Sequence, residues 1–521
     1  MRGQTILLKL SLCLTLGLML AACARETDRG RGGRGVLLIV VDELRADHVG
    51  VYGYPRATTP HLDGLVSEGV WFKNAFSAAP DTIPSHAGIL TGSDPSLARR
   101  PPLPSGEPLS LMTDWFIPEA VPRLAREFLA EGYRTAAFMD HAWLSSVYGF
   151  RSGFELFRGF REGGAVSVGL NPDGSPVLRD FGMAAVRARL EGWLEQLPQD
   201  QDWFAYLTAG DLERTWSFPD AEYDNFFRPD PLKGEVPAPS SSDRAFFAVP
   251  RSRWPGALLS YGEYEARYDG ALLKLDTELH KLFARLEAMG RWEETTVCVV
   301  GSYGLGLGEA GLIIDHGSLA DVDLHVPVLL RPARSAELVR GREIDGLMSL
   351  LDVAPTLLEL SEVQPPAGMH GVSMLPVIKG ESESAREYAY SRFGVHGGFG
   401  VRDERYSYQL FEPAGRGPAS MVRSWFGQQN PSRDARARHL RDREAQPDPG
   451  NLTRSLAEPA IEARLRASGE EWFGWIERAR YHVQDAPWAE RSVALEERAE
   501  LERRGLIAPL TGESFERAGA F

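Results

Sequence analysis

At 521 residues, 43% of them hydrophobic, the chain is long enough to bury a sizeable core and to hold one large domain with smaller pieces. A net charge of −15, with no basic stripe and no interleaving of arginine with aromatics, excludes nucleic acid as a partner. Lysine is scarce: Lys9, Lys73, Lys233, Lys274, Lys281 and Lys379 are all there are, and arginine carries the remaining positive charge.

The N-terminus reads as a targeting segment. Arg2 and Lys9 supply positive charge, and the apolar run Leu10–Leu20 is of signal-peptide length, too short to span a bilayer. It ends in Leu20-Ala21-Ala22-Cys23, which resembles a bacterial lipobox. That resemblance implies removal of residues 1–22, lipid on Cys23, and a lipid-anchored place in the bacterial cell envelope, at the outer membrane, in the periplasm or on the cell surface. With Cys13 removed and Cys23 lipidated, Cys298 is left alone and no intrachain disulfide forms. Residues 23–35 are rich in Gly and Arg and read as a flexible tether.

Val36–Val41 is a continuous apolar run, the pattern of a strand buried on both faces of a parallel sheet, and it ends in Asp42-Glu43. Ligands of open α/β sheets sit beyond the carboxyl ends of strands, so these carboxylates are site candidates. The stretch Pro80–Gly92 holds Pro84, then small residues, then Ile89-Leu90 and a Gly stop. It reads as a loop delivering Thr82 to a helix N-terminus, where unpaired N–H groups and the helix dipole favour an anion. Helix–strand alternation follows: helices over Val121–Glu131 and Val186–Leu194, strands over Tyr133–Met139 and Trp203–Leu207, then a long amphipathic helix over Tyr264–Met289. Strands over Thr295–Val300 and Val326–Leu330 come next. Residues 218–255 form a Pro/Ser-rich insertion with the character of a loop or lid. An antiparallel hairpin is expected over Val401–Phe411, and Ala460–Gly505 reads as a charged helical tail.

Several stretches together resemble the sulfatase branch of the alkaline phosphatase superfamily. They are Val36–Gly53 (VLLIVVDELRADHVGVYG), Thr59–Phe76, Thr82–Gly92 (TIPSHAGILTG), Gly132–Phe138, His316–Leu330 (HGSLADVDLHVPVLL), Leu351–Leu360, Gly371–Pro376 and Asp448–Leu452. The expected fold is α/β, a mostly parallel central sheet covered by helices on both faces, with a smaller C-terminal α+β subdomain. The expected bounds are 36–380 for the main domain, 381–455 for the subdomain and 456–521 for the tail. The resemblance implies a divalent metal, Ca, Mg, Mn or Zn, at the carboxyl edge of the sheet, held by Asp42, Glu43 and His316, with Asp315, beside His316, as a substitute ligand. It implies Thr82 as nucleophile with His86 beside it and substrate contacts at Asp140 and His141, and Arg45 is a candidate to supply the cation that the family's lysine gives elsewhere. The substrate class it implies is a small-molecule, glycan or lipid ester.

Three departures qualify that expectation. Sulfatases need an aldehyde made from Cys or Ser, and Thr82 carries a methyl on its β-carbon that forbids it. A threonine alkoxide attacks a phosphoester instead. The strand Thr295–Val300 leads into Gly301-Ser302-Tyr303-Gly304, with no carboxylate or imidazole to complete a metal site. No lysine lies near Asp140-His141 or His316, and Glu213 stands where relatives often place a histidine. Two readings follow: a metal-dependent hydrolase of sulfuric or, on chemical grounds, phosphoric esters with a reduced metal site, or a catalytically inactive binding or scaffolding lipoprotein. A Tyr303 that fills the cleft beside Thr82 favours the second.

Overall fold

The computed structural model describes residues 33–98, 115–141, 143–159, 168–170, 176–178, 182–214, 222–223, 226–231, 233, 260–307, 313–392, 398–411, 437–443, 456–483 and 500–504. The signal segment, Cys23, most of the tether, most of the 218–255 insertion and Asp448–Leu452 lie outside the described residues.

In chain order the elements that place the site are β1 (Gly35–Val41), α1 (Pro60–Val66), β2 (Val70–Phe72), α2 (Thr82–Thr91), α3 (Leu124–Ala130), β3 (Arg134–Phe138) and β4 (Leu156–Arg158). They continue with α4 (Gly182–Leu194), β5 (Trp203–Ala209), α5 (Tyr261–Ala288), β6 (Thr295–Gly301), β7 (Val328–Arg331) and β8 (Arg342–Ile344). These eight strands form one sheet in the order β8-β2-β7-β6-β1-β5-β3-β4. β1 lies at its centre, parallel to both β5 and β6. Only β7 runs against its neighbours, pairing antiparallel with β2 and β6, so the sheet is mostly parallel as expected.

The apolar run of β1 is buried on both faces because its alternate residues serve two cores. Val36, Leu38 and Val40 pack with α2 and α3, while Leu37, Ile39 and Val41 pack with α4 and α5. The 28-residue α5 starts at a capping box of Ser260 and Glu263 and lays Leu272, Leu275, Leu279, Leu282 and Leu286 on the sheet.

The C-terminal part is a four-stranded antiparallel sheet, β9 (Ala389–Arg392), β10 (Gly398–Arg402), β11 (Tyr406–Phe411) and β12 (Ala437–Asp442). The expected hairpin over Val401–Phe411 corresponds to β10 and β11. Helix α6 (Pro459–Val483) packs Leu465 and Phe473 on that sheet against Phe399, Val401 and Tyr408. Its Gly469 permits the approach, since a Cβ there would lie 2.2 Å from the Phe399 ring.

Candidate active site

The centre gathers at the carboxyl ends of β1, β5 and β6 and the first turn of α2. Every residue of α2 is buried, and Thr82 is its first residue, as expected. The N-cap is Asp81, whose Oδ1 accepts from the Thr82 N–H at 2.8 Å. The positive helix end therefore already faces a carboxylate of this chain.

Asp42 follows β1 directly, and Glu43 then adopts a left-handed backbone, φ 62°, that turns the chain away from the sheet. Tyr268 of α5 donates to the Glu43 carbonyl at 2.7 Å and fixes this turn. Asp42 Oδ1 accepts from His86 Nε2 at 2.7 Å and from the Ser302 hydroxyl. His86 Nδ1 in turn accepts from the Tyr206 hydroxyl, so a buried chain runs Tyr206–His86–Asp42–Ser302. Burial pushes the Asp42 carboxyl up, but His86, His141 and Ser302 outweigh it and hold its pKa at about 2.

The Thr82 hydroxyl meets the Tyr303 phenol at 2.9 Å, with the two residues 4% and 1% exposed. Burial, joined by the negative charges of Asp42, Glu43 and Glu213, raises the Tyr303 pKa well above its ordinary value. The group beside the nucleophile position is therefore a persistent phenol, which cannot act as a base. Gly304 allows the loop to close behind it: a Cβ there would lie 2.0 Å from the Val322 carbonyl oxygen.

The remaining expected site residues are spread around this core. His316 Nδ1 donates to the Pro80 carbonyl at 2.9 Å, and its ring packs 4.5 Å from that of Tyr303. Asp315 ends a short strand, Ile313–Asp315, and its side chain lies outside the described residues. Arg45 is buried and turned toward Asp47, at 2.9 and 2.7 Å, and the Leu305 carbonyl, at 3.0 Å. Asp140 accepts from the Thr208 hydroxyl at 3.2 Å and the Gly210 N–H at 3.1 Å, clasping the end of β5.

His141 lies 3.0 Å from Glu213. Burial lowers its pKa, but Glu213, Asp42 and Asp140 together raise it to about 9 from an ordinary 6.5. A raised pKa stabilises the fold fully below pH 6.5, and this contribution disappears as pH rises through about 9. Denaturant midpoints measured from pH 6 to 10 are expected to fall over that window in the wild type, and to fall less in His141→Gln.

Sulfatase-family enzymes are metal-dependent. Of the four expected metal ligands, Asp42, Glu43 and His316 have described side chains and that of Asp315 lies outside the described residues. Among the described residues no group of three His, Cys, Asp or Glu side chains converges to hold one. One oxygen of Asp42 is taken by His86 and Ser302; the other, Oδ2, is buried with no hydrogen-bond partner among the described residues.

A buried carboxylate at the end of the central strand, tied through His86 to the helix that Thr82 begins, lies on a mostly parallel, doubly covered sheet, and these features agree with an ester hydrolase of the alkaline phosphatase superfamily. Residues 34–363 match the profile described as Sulfatase, and the chain belongs to that family. The arylsulfatase of Clostridium perfringens is 25% identical over 417 residues, covering 71% of this chain and 83% of that protein. The delta 4,5-hexuronate-2-O-sulfatase of Bacteroides thetaiotaomicron is 25% identical over 429 residues, covering 75% and 82%. The phosphonate monoester hydrolase of Agrobacterium radiobacter shares the fold, with a TM-score of 0.62 at 20% identity over 85% of this chain and 95% of that one.

Three participants carried no sequence signal. Tyr206 is one apolar-strand residue among seven, Ser302 is a loop serine, and Asp81 is one of many acids before a helix. Only the sheet order brings the first two to Asp42.

Proposed function

We propose that this protein is a sulfatase-fold lipoprotein of the bacterial envelope that has lost ester hydrolysis and acts by binding. The observation that carries this reading is the Thr82–Tyr303 pair: the hydroxyl in the nucleophile position is sealed against a phenol. A nucleophile needs a base or a metal to take its proton, and a phenol with a raised pKa supplies neither. The charges agree, since Asp81 occupies the helix end and Asp42 stays ionised, both opposing an anionic ester. The lipobox-like Leu20–Cys23 supports the envelope location.

The test assays aryl sulfate, aryl phosphate, a phosphodiester and a phosphonate monoester with Ca, Mg, Mn and Zn each present, alongside calorimetric titration of the ions. The expected result is no turnover above that of Thr82→Ala. Metal-dependent turnover that disappears in Thr82→Ala would overturn the reading. Thr82→Ala is itself expected to cost about 1–3 kcal/mol in stability, because it leaves the Tyr303 hydroxyl buried without a partner. Chemical denaturation reads this directly.

A second reading, a hydrolase of sulfuric or phosphoric esters with a reduced metal site, is favoured by one feature: the partnerless Asp42 Oδ2. Ion binding at micromolar concentration that is lost in Asp42→Ala would select it. Incorporation of labelled fatty acid, lost in Cys23→Ala, checks the anchor.

A further inference from the structure

The chain enters the described structure at the amino edge of the sheet, and that entry is locked. The Gly33 N–H donates to the Gln199 carbonyl at 2.7 Å, and the Arg34 N–H donates to Asp202 Oδ1 at 2.6 Å. The Arg34 guanidinium also grips Asp202 Oδ2 at 3.0 Å and Glu362 at 3.3 Å. From there β1 runs away from the entry. Gly35 is level with Trp203 of β5 and Thr295 of β6, so the first residues of three parallel strands share one edge.

The Thr82 centre lies at the other edge. From Gly35 to Asp42 the strand advances about 23 Å. The C-terminal sheet sits on the centre's side as well. The Ser391 hydroxyl donates to the Ser77 carbonyl at 2.7 Å and the Arg392 N–H to the Ala78 carbonyl at 2.9 Å, just before α2. Two antiparallel pairings through β7 leave β2 parallel to β6, so Asn74, which follows β2, is also at the carboxyl edge. Arg443 joins Asn74 to the Glu404 carbonyl there, at 2.9 and 3.1 Å. The entry and the centre are therefore at opposite edges of the sheet.

The lipobox-like Cys23 comes ten residues before Gly33. In any conformation a stretch of that length reaches at most about 36 Å, whereas a globular chain of this size is about 60 Å across. A domain standing on its carboxyl edge would hold Gly33 farther from the bilayer than the stretch can reach. We propose that the anchor keeps the amino edge of the sheet toward the membrane and turns the Thr82 centre away from it, so that the partner of the centre is water-borne and not a lipid of the anchoring membrane. This rests on the lipoprotein reading of Cys23 and holds whether or not the centre turns over an ester.

The test uses the full lipidated chain in phosphatidylcholine nanodiscs that carry a rhodamine lipid, with a donor dye at Asp200→Cys or at Glu404→Cys. Asp200 is exposed next to Gln199 at the entry, and Glu404 is exposed at the carboxyl edge. Cys298 is buried, so the dye goes to the engineered thiol. Energy transfer to the lipid is expected to be at least about twofold stronger from Asp200→Cys. Inserting about thirty Gly and Ser residues before Gly33 is expected to narrow that difference, because the longer stretch reaches past the domain. Transfer from Glu404→Cys equal to or above that from Asp200→Cys, in disc-bound protein of natural length, would overturn the proposal and leave the anchor standing. A difference unchanged by the insertion would overturn it too, in favour of an amino edge that adheres to lipid by itself. Protein that elutes apart from the discs, as Cys23→Ala is expected to, would overturn the anchor and this proposal with it.

Discussion

Ser302→Asp combined with Tyr303→His is expected to give the protein a divalent-cation site at least about a hundredfold tighter than any in the wild type. Ser302 donates its hydroxyl to Asp42 Oδ1, so a carboxylate at that position faces the Asp42 carboxylate inside a buried pocket. Two like charges there repel, and without a cation the double variant is expected to lose about 3 kcal/mol of stability. An ion relieves that repulsion and engages the partnerless Asp42 Oδ2, while the imidazole replacing the phenol supplies a nitrogen ligand and uncovers Thr82. Adding Mn or Zn is therefore expected to restore the lost stability and raise the melting temperature in proportion to ion concentration. Calorimetric titration and thermal melts read both effects. A folded double variant that binds ions no better than the wild type would show that these positions do not converge on a cation, and the account of the centre would fall with it.

Asp42→Ala is expected to be the most damaging single substitution in the centre, costing about 3–5 kcal/mol. It removes the acceptor shared by His86 and Ser302 and strands their donors where water does not reach. The wild-type carboxyl is held at about 2 against an ordinary 3.8. A depressed pKa contributes stability that is complete above pH 3.8 and lost as pH falls through about 2, a contribution of about 2 kcal/mol. Denaturant midpoints recorded from pH 5 to 2 are expected to show this acid loss in the wild type and a shallower one in Asp42→Ala. Equal stability of the two proteins at pH 7 would mean that the Tyr206–His86–Asp42–Ser302 chain does not hold the centre together.

The two results together separate the stabilising role of Asp42 from a catalytic one. In a working metallo-hydrolase the strand-end carboxylate spends its charge on an ion, and its removal mainly costs rate. Asp42 Oδ1 accepts from two protein donors, so on the reading proposed above its removal is expected mainly to cost stability.

The sequence by itself determined the parts of this protein whose physics is local. An unbroken apolar run specifies β1 because its residues must be buried on both faces, and Asp42 lies at its carboxyl end because the run stops there. The leucine stripe specifies α5, and the Pro–small–apolar–Gly order places Thr82 at the start of α2. The lack of a carboxylate in Gly301–Gly304 could be read directly. The direction of β7 could not, since an apolar strand looks the same running either way. Only the tertiary structure decided what surrounds Asp42 and Thr82. Ser302 reaches Asp42 across 260 positions and Tyr303 reaches Thr82 across 221, because β6 happens to lie beside β1 and its end overhangs the first turn of α2. Hydrogen bonds between residues so far apart leave no periodicity or spacing in the chain; they exist only once the sheet order has fixed which strand ends are neighbours.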